Sequence, residues 1–129
     1  WSNFMLLQDG SAGMIEWSTL AYLTVDQRVR LAELFIALAD QDEVRAATIY
    51  RALGATTLFD FDYTYAFMAK AACAPSYQFM GRQMREDFEE VWTADQLLSQ
   101  AQDAYTVTFK NIQMLQDMVV QFGLPTIDA

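Results

Sequence analysis

The stretch from Thr24 to Gly54 carries, in order, the start and stop signals of two consecutive helices. Thr24 followed three positions later by Gln27 forms a capping box, which marks the start of a helix. Apolar residues then recur at helical spacing, and this first helix is predicted to end near Asp40. A second helix is predicted over 42–53, because a glycine just past the last turn favours a helix end. The sequence therefore predicts a helical hairpin with an exposed, charged face.

A β-hairpin is predicted before these helices, over residues 4–17. Two short apolar runs, FMLL and GMIEW, flank the turn-rich segment QDGSAG. Within that segment Asp9-Gly10 is a strong turn signal between two runs of strand length. A loop to residue 23 is predicted to connect the hairpin to the first helix.

The segment 59–74 is predicted to form a third helix. It alternates aromatic residues at its start, which briefly imitates a strand, but four alanines favour a helix. Pro75 is expected to end it. The acidic run REDFEE, residues 85–90, is predicted to be a solvated helix face.

A long apolar seam is predicted in the last third of the chain. Thr93 and Gln96 have the spacing of a second capping box. The seam runs from Leu98 to Phe122, and its repeat of about 3.5 residues suits either internal bundle packing or a facing partner helix. One long helix and two shorter ones both fit, since a β-branched stretch at 106–108 weakens the middle. The seam residues are Leu98, Ala101, Tyr105, Thr108, Ile112, Leu115, Val119 and Phe122.

Composition narrows the class of protein. The chain has 129 residues, of which 53% are hydrophobic, so we expect one domain over 1–129 that is mainly α with a short N-terminal β-hairpin. The net charge of −9 argues against nucleic acid as a partner, because such binding depends on Lys and Arg. No apolar run is long enough for a transmembrane helix.

The chain contains no histidine, which excludes a Ser-His-Asp triad, a Cys-His pair and every zinc site that uses histidine. Its one cysteine, Cys73, cannot form an intrachain disulfide and fits a reducing compartment. No histidine or basic cluster adjoins Cys73, so we expect a small buried residue rather than a nucleophile.

Residues 1–43 resemble the UbiB/AarF-like atypical kinases, also called the ADCK family. In that family a catalytic loop ending in Pro-Gly-Asn leads through a hairpin with an Asp-Gly turn to Ile-Asp-Phe/Tyr/Trp-Gly, and two helices follow. The resemblance fades after about residue 58. It is carried here by Ser2-Asn3, by the segment Gly13 to Ser18 (GMIEWS), by Leu23 to Arg28 (LTVDQR), and by Leu34 to Asp40 (LFIALAD).

This resemblance implies a protein-kinase-like C-lobe (α+β) fragment with a degenerate metal site. In protein kinases the catalytic-loop Asn and the Asp of the Asp-Phe-Gly element hold magnesium on the ATP phosphates. Carried over to this chain, the metal ligands are Asn3 and Glu16. The family's ATP-anchoring Lys and catalytic-loop Asp would both lie before Trp1. The chain begins at Trp1 without a Met, so we expect a processed protein or a piece of a longer one.

The replacement of Asp by Glu16 is expected to disturb the metal site. Magnesium requires near-ideal octahedral geometry at about 2.0–2.1 Å. One additional methylene displaces the carboxylate by roughly 1.5 Å, the length of one C–C bond. A misplacement of about 1 Å can cost on the order of a hundredfold in rate. Loose metal binding without ordinary turnover is therefore expected, and Ser18 in place of Gly adds to the departure.

The resulting expectation is a catalytically degenerate, pseudokinase-like C-lobe that acts as a binding or scaffold module. It implies no catalytic residue, no required cofactor, and weak Mg-ATP binding only if an N-lobe is supplied. The expected partners are other protein subunits or the N-lobe, or a lipid or membrane-associated complex. The family links the chain to coenzyme Q metabolism and to a mitochondrial or, alternatively, plastid location. Two alternatives stay open: the C-terminal piece of an active UbiB-like kinase or ATPase, and an unrelated helical structural subunit of a large complex.

Overall fold

A computed structural model of the chain describes residues 4–14, 21–76 and 79–123. Within these ranges the chain is mainly helical, with five α-helices and two small two-stranded antiparallel sheets. The mainly α class with a short N-terminal hairpin is therefore confirmed. The elements, in chain order, are β1 (Phe4–Leu6), β2 (Ala12–Met14), α1 (Val25–Ala39), α2 (Glu43–Ala52), β3 (Thr56–Thr57), α3 (Asp62–Ala72), α4 (Arg82–Ala94), β4 (Leu97–Ser99) and α5 (Asp103–Gln121).

The N-terminal hairpin forms where the turn signal predicts it. Strands β1 and β2 pair antiparallel, and the Leu7 N–H donates to the Ser11 carbonyl at 2.8 Å across the loop. The Asp9 carboxylate accepts hydrogen bonds from the Ser11 N–H (3.0 Å) and hydroxyl (2.6 Å). Gly10 takes a φ of +86°, which glycine adopts without strain. The predicted hairpin is confirmed over its described part, and 15–17 lie outside the described residues.

The helical hairpin of α1 and α2 begins and ends at its predicted signals. The Thr24 hydroxyl accepts from the Gln27 N–H at 3.2 Å, and the Thr24 N–H donates to the Gln27 side chain at 2.8 Å, which completes the capping box. Asp42 caps α2 by accepting from the Arg45 N–H at 3.1 Å. Gly54, just past α2, has a φ of +107°. These bonds satisfy donors that helix ends would otherwise leave unpaired.

The main hydrophobic core lies between α1, α2, α3 and the first half of α5, and a smaller cluster joins α3 to α4. No helix in the described ranges has a run long and apolar enough to cross a membrane. The buried members of the main core are Leu31, Leu34, Ala37, Ala46, Ala47, Tyr50, Leu53, Ala55, Tyr65, Ala66, Ala69, Cys73, Ala101, Tyr105 and Phe109.

The third helix is shorter than the predicted 59–74. It spans Asp62–Ala72, and the chain before it turns away from β3 through Leu58 to Phe61. Strand β3 pairs antiparallel with β4, which lies about 40 residues later in the sequence, and the register of the pairing shifts between Thr56 and Thr57. This sheet was not predicted, because strands of two and three residues carry too little periodicity to be seen in a sequence.

The predicted second capping box is wrong. Thr93 lies in the last turn of α4, where its hydroxyl donates to the Glu89 carbonyl at 2.9 Å instead of capping a new helix. Helix α4 continues through this point to Ala94, and Val91 in its last turn is buried. Leu98 consequently belongs to strand β4, and the last helix begins only at Asp103.

The predicted seam is only partly buried. Helix α5 is one continuous helix, which resolves the choice between one helix and two. Tyr105 and Phe109 enter the main core, and Ile112 packs at its edge. Leu115 and Phe122 are 54% and 69% exposed. The seam from Leu98 to Phe122 is therefore not one continuous internal contact. The main core covers only the first half of α5.

Candidate interaction site

The predicted metal ligands, Asn3 and Glu16, both lie outside the described residues. In the part of the chain that the structure describes, no three Asp, Glu or Cys side chains are grouped so that they could hold a metal ion. The acidic side chain with the most elaborate surroundings is instead Asp95, at the end of α4, which the sequence did not single out.

Asp95 is a buried carboxylate that organises the loop before α3. Its side chain is 1% exposed. It accepts hydrogen bonds from the Thr57 hydroxyl at 2.7 Å, from the Phe59 N–H at 2.6 Å and from the Phe61 N–H at 3.2 Å. A buried carboxylate is tolerated only when its lone pairs are satisfied in this way. One side chain therefore fixes the loop 58–61 through the backbone of two of its residues, Phe59 and Phe61.

The charge on Asp95 is retained in the folded protein. Burial on its own would raise the pKa of this carboxyl. The Phe59 N–H, the Thr57 and Thr64 hydroxyls and the Phe61 N–H outweigh that effect and hold the pKa below its ordinary value. Hydrogen bonds to an ionised acceptor are also stronger than those between neutral groups. Asp95 is thus an ionised anchor at neutral pH.

A second set of contacts holds the same loop from the side of α2. The Arg51 guanidinium pairs with the Asp60 carboxylate at 3.1 Å, donates to the Asp60 carbonyl at 2.8 Å and pairs with Asp62 at 2.6 Å. The guanidinium lies over the Tyr65 ring, 4.4 Å from its centre. The Tyr65 hydroxyl and then Arg51 lower the pKa of Asp60. Asp60 has a φ of +57°, which these contacts stabilise.

The fixed loop presents two aromatic rings to solvent. Phe59 and Phe61 stack with their ring centres 5.6 Å apart and their planes 22° from parallel. They are 56% and 52% exposed, and the adjacent Leu58 is 53% exposed. We call Leu58, Phe59 and Phe61 the aromatic platform. Exposed aromatic side chains on a rigid backbone are typical of the residues that carry binding energy in protein interfaces.

Sequence reasoning missed this site for two separate reasons. The predicted helix 59–74 placed both phenylalanines in a helix, although the alternation FDFDY at residues 59–63 is strand-like. Asp95 lies 36 positions from Phe59, and no local pattern links the two. Asp60 and Asp62 could have indicated a turn followed by a helix start, because Asp is common in turns and in the first turn of helices.

Cys73 behaves as the sequence predicts, and its reactivity provides a test. The side chain is 1% exposed in the main core, and burial raises the pKa of its thiol to about 12. At pH 8 roughly one thiol in ten thousand would be ionised. We expect iodoacetamide to leave the native protein unmodified for about an hour, and to add one adduct in denaturant, as measured by intact mass. Complete labelling of the native protein would contradict the burial of Cys73.

Comparison with known proteins adds no family assignment. No family model, no curated protein and no solved structure matches the chain. The platform and the contacts that hold it are therefore interpreted from their own geometry.

Proposed function

We propose that the chain is a catalytically degenerate, kinase-like C-lobe that works by protein contact, as a binding and scaffold module. The observation that carries the contact role is the aromatic platform, which is exposed and yet held by a buried carboxylate. The lobe assignment is supported by the order of elements, in which a hairpin precedes a capped helix and a second helix that Gly54 closes.

The energetics favour contact as the role of the platform. Burying a stacked aromatic pair removes a large apolar area from contact with water, and aromatic side chains lose little conformational entropy on binding. Asp95 and Arg51 already order the loop that carries the two rings. Binding a partner therefore costs little further conformational entropy of the loop backbone. A platform that is exposed and ordered in the free protein is therefore well suited to a partner.

The cellular setting of this proposal follows from the resemblance to UbiB-like proteins. It is an organellar assembly, mitochondrial or plastid, connected with isoprenoid-lipid metabolism. The partner would be another protein subunit or the N-lobe of the same protein. Nucleotide is not required for this role, and weak Mg-ATP binding would depend on that N-lobe.

The double substitution Phe59→Ser/Phe61→Ser tests the contact role. Since both rings are about half exposed, we expect it to change the free energy of unfolding by no more than about 1 kcal/mol. The native protein, tagged in its source cells, is expected to migrate as a larger assembly by size-exclusion chromatography. The double variant is expected to lose that assembly.

The matched control is Val29→Ser/Val44→Ser, which removes two apolar side chains that are 50% and 66% exposed on α1 and α2. The control should keep the assembly. The proposal fails if the wild-type protein migrates as a monomer, or if the platform variant and the control variant retain the assembly equally.

A further inference from the structure

A cleft of about 340 Å³ opens between α4 and α5, over one face of α3. Both helices pack on α3, but their backbones stay largely apart from each other. Members of both hydrophobic clusters line the cleft, so it lies at the junction of the main core and the smaller cluster. We call it the α4–α5 cleft. Its volume is that of about eleven water molecules at roughly 30 Å³ each, which suits a small ligand.

Each of the three helices turns a single face toward the α4–α5 cleft. The lining residues of α3 are Thr64, Phe67, Met68 and Ala71. They follow the spacing of three and four positions that places side chains on one helical stripe. The lining residues of α4, within 88–92, and of α5, within 106–113, repeat this spacing. The cleft is therefore a slot between three helix faces.

Aromatic rings form much of the lining. On the α4 side Phe88 and Trp92 stack, with ring centres 5.9 Å apart and planes 7° from parallel. Phe88 also meets Phe67 of α3, at 6.2 Å between the ring centres. On the α5 side Phe109 stacks on Tyr50 at 6.1 Å. Aromatic pairs are favourable beyond the apolar area that they bury, so these walls suit a flat aromatic ring.

Tertiary hydrogen bonds fix the walls of the α4–α5 cleft. The Asp117 carboxylate of α5 accepts from the Ser76 N–H and from the Ser76 hydroxyl, both at 2.7 Å. The Gln113 side chain donates to the Ala71 carbonyl at 3.2 Å, which joins α5 to the end of α3. At the other end Asp95 ties the end of α4 to the loop before α3. A ligand would therefore meet a preformed site.

The charge of the lining favours an anion. Among the described residues that line the cleft none is Asp or Glu, although the chain has 17 acidic residues and a net charge of −9. Lys110 is the one charged side chain among them, and it forms no ion pair with a described residue. The groove on the other side of α3 differs, because Asp42, Glu43 and Asp87 line it. An anionic group in the α4–α5 cleft would thus meet a cation and no carboxylate of the lining.

We propose that the α4–α5 cleft binds a small planar aromatic anion, with its ring against Phe67, Phe88 and Phe109 and its anionic group at Lys110. A flat ring has no internal rotations to lose, whereas an alkyl chain of the same size loses freedom at each bond. A carboxylate beside an ammonium group forms a charge-assisted hydrogen bond. No residue of the aromatic platform lines the cleft, so this inference goes beyond the proposed contact role and does not depend on it.

Isothermal titration calorimetry of the 129-residue chain with three probes tests the inference. The first probe, 2-naphthoate, is a planar aromatic carboxylate. The second, 2-naphthamide, has the same shape without the charge, and the third, decanoate, has the charge on a flexible chain. We expect 2-naphthoate to bind with a dissociation constant of about 1 mM or tighter. The amide should bind about fivefold more weakly, as the loss of one exposed ion pair predicts, and decanoate should also bind more weakly.

The substitution Lys110→Gln should lower the affinity for 2-naphthoate about fivefold and leave that for 2-naphthamide unchanged, so that the variant binds both equally. The matched control is Lys70→Gln, which removes the chain's other lysine, in the groove on the other side of α3. It should bind all three probes as the wild type does. The variant Phe59→Ser/Phe61→Ser should also bind 2-naphthoate normally, which separates this inference from the proposed function. Circular dichroism checks that each variant is folded.

Nuclear Overhauser effects locate the bound ring. In protein with labelled methionine methyl groups, the naphthalene protons should give such effects to Met68 and Met80, which line the cleft, and none to Met118, which does not. Four results would overturn the inference: no binding of 2-naphthoate at millimolar concentration, equal affinity of the wild type for 2-naphthoate and its amide, tighter binding of decanoate, or no effect at Met68 and Met80. An affinity for 2-naphthoate that Lys110→Gln leaves unchanged would also contradict it.

Discussion

Replacing Asp95 with alanine is expected to lower the free energy of unfolding by about 2–4 kcal/mol. The carboxylate is 1% exposed and accepts from the Thr57 hydroxyl and from the Phe59 and Phe61 N–H groups. Alanine would leave these donors without their acceptor, and a buried donor without a partner costs more than the hydrogen bond itself contributes. Urea unfolding followed by circular dichroism measures the difference.

The control for this substitution is Asp103→Ala, in the exposed first turn of α5, where we expect a loss of at most about 1 kcal/mol. The pH dependence gives a further check. The pKa of Asp95 is lowered in the folded state, so its contribution to stability is present above the ordinary pKa of about 4 and is lost as the pH falls through the lower folded value. The gap between the wild type and the variant should hold from pH 7 to 5 and narrow below about pH 4. A gap under 1 kcal/mol at pH 7 would contradict the anchoring role.

Replacing Leu34 with alanine is expected to destabilise the fold by about 3–5 kcal/mol. Leu34 is fully buried in the main core, and its removal would leave a cavity as well as lose burial energy. The same substitution at Leu115, which is 54% exposed on α5, is a matched control, because leucine and alanine have similar helix propensities. We expect Leu115→Ala to cost less than about 1 kcal/mol in the same unfolding measurement.

Equal losses for Leu34→Ala and Leu115→Ala would contradict the described core. They would instead favour internal bundle packing of the whole predicted seam, which is one of the two alternatives that the sequence leaves open. The pair of variants therefore decides between the two descriptions of α5.

Signals that act over a few residues predicted the structure well. The Thr24 capping box, the Asp9-Gly10 turn and Gly54 after α2 each depend on bonds or dihedral angles within five positions. Their chemistry is complete in the local sequence, so the bounds of α1 and α2 were predicted to within one residue, and the hairpin was predicted at the place where its described part lies.

The same kind of signal failed at Thr93, for a reason that is not local. The spacing of Thr93 and Gln96 is that of a capping box, but α4 runs through Thr93 and ends where Asp95 turns to bind the loop before α3. That contact joins residues 36 positions apart. Tertiary hydrogen bonds of this range outweighed the local preference, and a single sequence does not reveal them.

The candidate site was hidden for the same reason. The exposure of Phe59 and Phe61 depends on a backbone held by Asp95 and by Arg51 on α2, both distant in sequence. The helix propensity of the four alanines in the segment 59–74 assigned both rings to a helix.

Site-specific photo-crosslinking tests the contact role of the aromatic platform most directly. In one variant of the protein, expressed in its source cells, a benzophenone amino acid would replace Phe59. In a second variant of the same protein it would replace Val29, which is 50% exposed on α1. The account predicts a crosslinked product of defined mass from position 59 and none from position 29. Irradiation that gives no product at position 59, or the same products at both positions, would contradict it.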